Sequence, residues 1–255
     1  MTTLPADFFR QPIAHRGLHD VAAARPENSR AAIRAAIAAG YGIELDLQLS
    51  RDGRAMVFHD YDMTRLTGTN GPIQQRTADE LNTMTLLGSD EGIPTFSEVL
   101  ELVAGRAPLL VELKDQHGQM GITNGALEQA TAKDLHGYAG PLALMSFNPN
   151  SVVQLAELAP NVPRGIVTSH YPAEDWLLLR ESTRAHLRTI PDYERAGACF
   201  ISHKVDDLTS PRVAELKEAG AHLFCWTVRS REQEVQARKV ADNITFESYL
   251  APISA

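Results

Sequence analysis

Two short segments place acidic side chains at alternating positions between aliphatic ones. Alternation runs through Ile43-Glu44-Leu45-Asp46-Leu47-Gln48-Leu49 and again through Val111-Glu112-Leu113-Lys114. Because successive side chains of a β-strand point to opposite faces, each segment predicts one aliphatic and one polar face. Three carboxylates close together in a low-dielectric interior would repel one another and lose hydration. Proteins relieve this by protonating such groups, pairing them or binding a cation.

The alternation by itself leaves two interpretations of Glu44, Asp46 and Glu112 open. All three are oxygen donors, so a bound cation should be a hard ion such as Mg²⁺ or Ca²⁺. Alternatively, the polar faces are solvated or form a salt-bridge network with Lys114 and Arg16.

Groups suited to acid–base chemistry and phosphate binding lie close to this predicted polar face. His15 and Arg16 end the first predicted strand, and His59 ends a short strand after the turn Ser50-Arg51-Asp52-Gly53. Two imidazoles can serve as general acid and general base near neutral pH, and an arginine can hold two phosphate oxygens at once. A lone histidine is more often structural, so the interpretation depends on the convergence of these residues.

Short apolar strands alternate with amphipathic helices along the chain, which predicts a parallel sheet. Eight strands with intervening helices indicate a closed (β/α)₈ TIM barrel, whose active sites lie at the carboxyl ends of the strands. The main strands are predicted at residues 13–17, 43–49, 109–114, 142–147, 164–168, 199–203, 223–228 and 243–246. The first helix follows Pro26-Glu27-Asn28-Ser29 and ends at Gly40, and others are predicted at 97–104, 125–135, 150–158, 173–187, 210–219 and 230–240. We therefore expect residues 1–255 to form one barrel domain.

The connection after the second strand departs from this pattern. The turn at residues 50–53 and the strand that follows predict a hairpin arm, whose antiparallel pairing would bring His59 near Glu44 to Asp46. The polar segment from Asp60 to Pro94 is too long for an ordinary connection, and insertions of this kind are usually lids or binding loops.

Several segments, in order, resemble the glycerophosphodiester phosphodiesterase family. They are Ile13-Ala14-His15-Arg16-Gly17, Pro26-Glu27-Asn28-Ser29, residues 43–53, Val57-Phe58-His59-Asp60, Ile93-Pro94-Thr95-Phe96 and Val111-Glu112-Leu113-Lys114. The resemblance is strong from residue 13 to about 115 and looser through Met145-Ser146-Phe147 and Cys225-Trp226-Thr227-Val228. It implies a TIM barrel of the phospholipase C-like phosphodiesterase type, with residues 60–94 as a small capping insertion.

The resemblance also implies a role for each matching residue. Glu44, Asp46 and Glu112 would ligate one divalent cation, either Mg²⁺ or Ca²⁺, with Mn²⁺ as a third candidate. His15 and His59 would be the acid–base pair, with Asp60 orienting His59. Arg16 and Lys114 would hold the phosphate, and Trp226 would line the substrate pocket.

Two segments depart from the family pattern. The loop from Leu18 to Arg25 is longer than usual, and Asn243-Ile244-Thr245-Phe246-Glu247 stands where the family has Ile-Thr-Asp. Little chain follows this strand, so we expect a vestigial eighth helix. These departures concern the leaving-group pocket more than the implied metal site.

The expected reaction is metal-dependent hydrolysis of a glycerophosphodiester to sn-glycerol 3-phosphate and an alcohol. Either water or the 2-hydroxyl of glycerol could be the nucleophile, and the sequence does not choose. Alternatives are a phospholipase D-like enzyme acting on lysophospholipids, a barrel that binds without catalysis, and a glycosidase using paired carboxylates. The first would need an apolar channel or membrane-binding face. Trp176-Leu177-Leu178-Leu179 is a candidate, although a helix face packed on the barrel is the favoured interpretation.

Composition excludes several other classes. With 24 Lys and Arg against 32 Asp and Glu, the formal net charge is −8, which disfavours a nucleic-acid partner. A content of 44% hydrophobic and 22% charged residues is typical of a globular chain. Two cysteines, Cys199 and Cys225, are too few for a disulfide framework and are expected to be buried thiols. We find no stretch suited to stable membrane insertion and expect a cytoplasmic enzyme with a small-molecule substrate; the oligomeric state is not indicated.

Overall fold

Parallel strands closed into a ring form the centre of the computed structural model, which describes residues 2–253. Within that part of the chain the strands are β1 (Ile13–Ala14), β2 (Gly42–Leu49), β3 (Ala55–Val57), β4 (Leu109–Leu113), β5 (Leu142–Ser146), β6 (Arg164–Thr168), β7 (Phe200–Lys204), β8 (His222–Val228) and β9 (Asn243–Phe246). The order β1-β9-β8-β7-β6-β5-β4-β2 is closed by pairing between β1 and β2. All these neighbours are parallel, so the predicted eight-stranded barrel is confirmed.

Helices cover the outside of the barrel and a second group lies in the insertion. The α-helices of the described chain are α1 (Arg30–Ala39), α2 (Thr64–Thr67), α3 (Ala78–Asn82), α4 (Phe96–Val103), α5 (Ala126–Asp134), α6 (Pro149–Leu158), α7 (Glu181–Arg188), α8 (Pro211–Glu218) and α9 (Arg231–Ala237). Helices α1 and α4 to α9 connect successive barrel strands. After β9 no helix occurs up to residue 253, in keeping with the vestigial eighth helix that we expected.

The ends of α1 follow directly from its sequence. The Ser29 side chain accepts a hydrogen bond from the Ala32 backbone N–H at the amino end, and Gly40 ends the helix in the left-handed conformation. Ala32, Ile33 and Ala36 form its buried face. The small side chains of Ala32 and Ala36 let α1 approach the barrel closely. The turn that follows β1 packs against α1 at this place.

The two faces of β2 separate as the alternation predicts. Ile43, Leu45 and Leu47 pack into the apolar layer between the strands and the helices. Glu44 and Asp46 therefore project to the inside of the barrel. The aliphatic layer fixes β2 in this register, because a shift by one residue would turn the carboxylates toward the helices.

The amino-terminal segment closes the end of the barrel opposite to these carboxylates. Phe8 is completely buried and stacks on Phe224 with ring centroids 6.0 Å apart. The Asn243 amide, at the start of β9, donates hydrogen bonds to the backbone oxygens of Phe8 and Gln11, both at 2.7 Å. Since Phe8 packs with the inward-facing residues Ile13 and Leu110, it fills the lower part of the barrel.

The hairpin arm has the predicted antiparallel form. Leu47 pairs with Val57 and Leu49 with Ala55. Ile43 pairs with Ala14 on one side and Leu109 on the other, whereas Leu47 pairs with Leu113 and Val57. Strand β3 therefore continues along the edge of β2 beyond the end of β1.

The insertion packs around an apolar cluster of its own. Short helical segments follow β3, and their buried side chains include Met63, Leu66, Ile73 and Leu81. Met56 of β3 belongs to the same cluster, which joins the insertion firmly to the hairpin arm. Residues placed by this segment are thus held in a fixed position relative to β2.

The predicted helix at 173–187 is wrong over its first half, because α7 begins at Glu181. Residues 173–180 form successive turns instead. Trp176 contacts Phe147 and Tyr171, with ring centroids 4.9 and 5.0 Å apart, and Leu179 is buried in the same cluster. These tertiary contacts at the barrel mouth outweigh the helical pattern of apolar residues.

Both cysteines are buried free thiols, as predicted. Among residues 2–253, none of the helices has the length and apolar character that crossing a membrane requires.

We predict that Phe8→Ala will lower the free energy of unfolding by about 3–5 kcal/mol, because it removes a buried aromatic ring that fills the barrel. Phe9→Ala is the matched control, since Phe9 is 39% exposed, and we expect a loss well under half as large. Urea denaturation followed by circular dichroism measures both. Equal losses would contradict the assignment of Phe8 as the plug of the barrel.

Candidate active site

Eight of the nine residues given a role from the sequence, all except Asp60, line one cavity at the carboxyl end of the barrel. Its volume is about 140 Å³. The lining includes His15, Arg16, Glu44, Asp46, His59, Glu112, Lys114 and Trp226. We call this the central cavity. Residues far apart in the sequence meet here because the strands are parallel and all end at the same edge.

The three carboxylates form the floor of the central cavity. Strand pairing sets Asp46 directly beside Glu112, and Glu44 lies two residues earlier on the same face of β2. One oxygen from each lies within 4.8 Å of the others. All three side chains are buried, so they could hold a metal ion with oxygen ligands only.

Burial and mutual repulsion act differently on the members of this cluster. Burial, together with Asp46 and Glu112, raises the pKa of Glu44 well above its usual range. Burial also opposes ionisation of Asp46, but the positive charge of Lys114 and the neighbouring His59 and Arg16 outweigh it and hold the pKa of Asp46 low. Without a cation, the site therefore tends to keep a proton on Glu44.

Lys114 is the amine that neutralises the floor of the cavity. Its Nζ donates to Glu112 Oε1 at 2.7 Å and lies 3.3 Å from Asp46 Oδ1. Burial alone would lower the pKa of Lys114, but these two carboxylates raise it. Lys114 consequently stays charged and points into the cavity.

A tight turn after β1 brings Arg16 over the carboxylates. Arg16 has a φ of 53° and Gly17 a φ of 77°, so the chain reverses within two residues. A Cβ on Gly17 would lie 3.0 Å from the backbone carbon of Ala32 in α1, so this position requires glycine. The Arg16 backbone N–H donates to Glu44 at 2.9 Å, and its Nε lies 3.3 Å from Asp46.

His15 lies between carboxylates from two strands. Because Ala14 pairs with both Ile43 and Phe246, the next residue falls between Glu44 and Glu247. Its Nδ1 is 2.5 Å from Glu247 Oε2, and its Nε2 is 3.9 Å from Glu44. Burial lowers the pKa of His15, and the bond to Glu247 partly opposes that shift. Glu247 therefore fixes the ring with Nε2 toward the central cavity.

His59 enters the site from the hairpin arm, as the register predicted. The Phe58 backbone N–H donates to the Asp46 carbonyl at 2.9 Å, and the His59 carbonyl accepts from the Gln48 side chain at 3.0 Å. Its Nδ1 is 2.7 Å from Asp60 Oδ1. Each histidine thus has one ring nitrogen against a carboxylate, which leaves the other for a substrate.

Alternating charges connect Arg16 to His59 through the insertion. Arg16 contacts Glu27 at 2.6 Å, Glu27 contacts Arg65 at 2.7 Å, and Arg65 contacts Asp60 at 2.6 Å. Burial opposes ionisation of Asp60, but its bonds to His59 and Arg65 lower its pKa. We call Asp46, Arg16, Glu27, Arg65, Asp60 and His59 the charge chain. It ties the capping insertion to both ends of the site.

Sequence reasoning gave no role in the site to several residues that the structure brings there. Glu247 was noted only as a departure from the family pattern, and Arg65 lay without a role of its own within the insertion at residues 60–94. Glu27 and Asn28 were assigned to the start of α1, yet the Asn28 amide also donates to Asp46 at 3.0 Å. The sequence signal for their role was the motif Pro26-Glu27-Asn28-Ser29, because capping of α1 by Ser29 does not require the side chains of Glu27 and Asn28.

The arrangement suits phosphoryl chemistry. Arg16 and Lys114 provide permanent positive charge beside three carboxylates that could hold a cation, and two oriented histidines face the same space. A phosphate diester bound here would have cations on its non-bridging oxygens and imidazoles within reach of its ester oxygens.

Solved structures share this architecture. A phosphodiesterase from Oleispira antarctica, in complex with the product sn-glycerol-3-phosphate, superposes with a TM-score of 0.75 at 24% identity, covering 95% of this chain and 93% of the other. A glycerophosphodiester phosphodiesterase from Thermotoga maritima gives a TM-score of 0.70 at 23% identity, covering 92% of this chain and 94% of the other.

Sequence comparison gives the same result over most of the chain. A glycerophosphodiester phosphodiesterase from Caldanaerobacter subterraneus subsp. tengcongensis is 28% identical over 229 residues, which is 86% of each chain. The family model described as the glycerophosphoryl diester phosphodiesterase family matches residues 15–243. The chain therefore belongs to the glycerophosphoryl diester phosphodiesterase family, a family of phosphoric diester hydrolases.

Proposed function

We propose that the protein hydrolyses glycerophosphodiesters to sn-glycerol 3-phosphate and an alcohol, using a divalent cation. The observation that carries this proposal is the convergence of His15, His59, Arg16 and Lys114 on a cavity floored by three carboxylates. Family membership supports the reaction class, and the structural neighbour bound to sn-glycerol-3-phosphate supports the product. A cytoplasmic location stays a prediction.

The donor set of Glu44, Asp46 and Glu112 fits a hard divalent cation. Their oxygens are close enough to share one ion, and the raised pKa of Glu44 reflects burial together with repulsion from Asp46 and Glu112, both of which such an ion would offset. A cation held there would act as a Lewis acid on a phosphate oxygen. Mg²⁺, Ca²⁺ and Mn²⁺ all suit oxygen ligands, and the choice among them is left to experiment.

Arg16 and Lys114 hold the phosphate in this proposal. Each side chain already contacts Asp46, so both positive charges lie beside the carboxylates before a substrate binds. Glu27 fixes the far side of the Arg16 guanidinium. Rigid positive charge at this point would stabilise the additional negative charge that develops on the phosphoryl oxygens during the reaction.

His15 and His59 transfer the protons. One histidine takes a proton from the nucleophile, and the other gives a proton to the oxygen of the departing alcohol. Glu247 and Asp60 each accept from the Nδ1–H of one ring, which keeps Nε2 free for these transfers. The two histidines are held by different elements, β1 and the hairpin arm, so each can serve a separate proton transfer.

Chelation of divalent cations is predicted to reduce release of sn-glycerol 3-phosphate from glycerophosphocholine by at least about a hundredfold, because the phosphoryl charge then lacks its strongest partner. Adding back one of Mg²⁺, Ca²⁺ or Mn²⁺ should restore turnover. Enzymatic detection of the product measures this, with circular dichroism to show that the protein stays folded. Turnover unaffected by chelation would contradict the metal proposal. No turnover of glycerophosphocholine with any ion would favour lysophospholipid substrates first and a barrel that binds without catalysis second.

We expect His15→Ala and His59→Ala each to lower kcat by at least about a hundredfold, as general acids and bases typically contribute that much. His186→Ala is the matched control, because the His186 side chain is 60% exposed on α7 and pairs with Asp192. Steady-state kinetics with glycerophosphocholine measure all three variants. If either site variant stayed within about threefold of the wild type, its assignment in acid–base catalysis would be wrong.

Glu247→Gln should lower kcat by at least about tenfold with a smaller change in KM, because the charged partner that orients His15 is lost while phosphate binding is kept. Glu247→Asp should recover part of the activity, since a carboxylate remains. Glu157→Gln on the exposed face of α6 provides the control. A loss confined to KM would indicate a substrate-binding role for Glu247 instead.

A further inference from the structure

A further histidine lies close to the pair formed by His15 and Glu247. His19 Nε2 is 3.6 Å from Glu247 Oε2, the same oxygen that His15 Nδ1 contacts at 2.5 Å. One ligand atom from each of the three residues lies within 4.8 Å of the other two. Two imidazoles thus converge on one carboxylate oxygen. We call His15, His19 and Glu247 the histidine cluster.

The loop after β1 fixes His19 in this position. The Leu18 backbone N–H donates to the Ala32 carbonyl of α1 at 3.0 Å. Asp20 exchanges two backbone hydrogen bonds with Arg25, at 2.7 and 3.0 Å. The backbone is therefore held on both sides of His19. Since this loop is longer than the family pattern, the histidine cluster depends on a segment in which this chain departs from that pattern.

The ligand types of the histidine cluster differ from those of the cavity floor. Glu44, Asp46 and Glu112 offer oxygen alone, which suits hard cations. Two imidazole nitrogens and one carboxylate oxygen suit a borderline ion such as Zn²⁺. Three protein ligands of these types, with a fourth position left for water, form a common kind of zinc site. The two groups of ligands would therefore select different ions.

Distances within the histidine cluster are close to those of such a site. Bonds of about 2.0–2.1 Å in tetrahedral geometry separate neighbouring ligand atoms by roughly 3.3 Å. The 3.6 Å between His19 and Glu247 is close to that spacing and is too long for a hydrogen bond. The 2.5 Å contact of His15 with Glu247 would lengthen by roughly 0.8 Å to reach it.

Arg229 holds Glu247 from its other oxygen. The Arg229 Nε donates to Glu247 Oε1 at 2.7 Å, which leaves Oε2 to the two imidazoles. Carboxylates that ligate metals are themselves usually hydrogen-bonded, because the outer partner fixes the ligand. Arg229 therefore provides the support that a ligand at this position requires.

A separate cavity gives access to the histidine cluster. It has a volume of about 480 Å³, and its lining includes His19, Glu247 and Tyr249. His15 lines the central cavity instead. The contact between His15 and Glu247 therefore lies between the two cavities, and an ion can reach it without passing through the substrate site.

We propose that His15, His19 and Glu247 form a second metal site that binds Zn²⁺, and that zinc bound there inhibits the enzyme. The site itself is independent of the proposed function, whereas the inhibition rests on the role proposed above for His15. Zn²⁺ would take the lone pair of His15 Nδ1, and the single proton of the neutral ring would move to Nε2. With Nδ1 bound and Nε2 protonated, the ring can accept no further proton.

Calorimetry tests the site without any need for turnover. Zn²⁺ is titrated into the protein in excess Mg²⁺, which keeps zinc from the carboxylate floor. We expect one tight zinc site per chain, weakened at least about tenfold in His19→Gln, which removes a ligand but keeps the size of the side chain. His186→Ala is the matched control, because His186 pairs with Asp192 outside the histidine cluster. An affinity unchanged in His19→Gln would overturn the proposal.

Nuclear magnetic resonance of the histidine rings tests where zinc binds on His15. Long-range proton–nitrogen spectra in mildly alkaline buffer distinguish a ring protonated at Nδ1 from one protonated at Nε2. We expect the His15 ring to change from the first form to the second when Zn²⁺ is added, and to keep the first form in His19→Gln. The spectrum of His15→Ala assigns the signal. A His15 ring that does not respond to Zn²⁺ would overturn the proposal.

Turnover of glycerophosphocholine in saturating Mg²⁺ tests the inhibition. We expect saturating Zn²⁺ to lower kcat by at least about a hundredfold, because general acids and bases typically contribute that much. His19→Gln should keep wild-type turnover in Mg²⁺ alone and need at least about tenfold more zinc for half inhibition. Inhibition that additional Mg²⁺ relieves and that His19→Gln leaves unchanged would assign zinc to the carboxylate floor and overturn the proposal.

The outcomes separate this inference from the proposed function. Zinc binding and the proton shift at His15, without turnover of glycerophosphocholine in Mg²⁺, would support the site and contradict the proposed hydrolysis. Zinc bound to the histidine cluster with kcat unchanged would overturn the inhibition and count against His15 in proton transfer.

Discussion

The organisation of this site depends on the burial of three carboxylates in the lumen of one barrel. Such groups repel one another and lose the solvation that water would give them, so every neighbour must either compensate negative charge or exclude water. Arg16, Lys114 and the Asn28 amide provide this compensation within the protein. A divalent cation would complete the charge compensation. The same positive charges that stabilise the buried carboxylates would also bind the negatively charged phosphate.

This constraint explains why the surrounding elements are built as they are. Arg16 can reach Asp46 only because the chain turns sharply after β1, and that turn needs a glycine packed against α1. The compensating charges are in turn held by Glu27 and the insertion residue Arg65. The negative charge of the three carboxylates is thus balanced by successive ion pairs that extend into the capping insertion. The insertion therefore stabilises the charged groups of the site as well as covering it.

Much of this could be predicted from the sequence because the signals are local. Strict alternation in β2 and β4 fixes which side chains share the inner face, and a hairpin turn of known position fixes the register of His59. The contact between His15 and Glu247 spans 232 positions. No local sequence pattern predicts this contact, because it depends on the pairing of β1 with β9. The turns around Trp176 were missed for a related reason, since its aromatic partners come from other strands and loops.

The mouth of the barrel divides by chemistry. Ionic residues of β1, β2, β4 and the hairpin arm lie on one side, whereas Phe147, Trp176 and Trp226 form an apolar wall on the other. The charged side is cooperative, because each of its groups holds the next and a change at one is felt by all. Contacts along the apolar wall are non-directional and carry no net charge, so side chains there can change without altering the charge balance around the carboxylates. Residues that contact a substrate can therefore vary at the loops after β5 and β6 and at the end of β8, while the charged groups stay fixed at β1, β2, β4 and the hairpin arm.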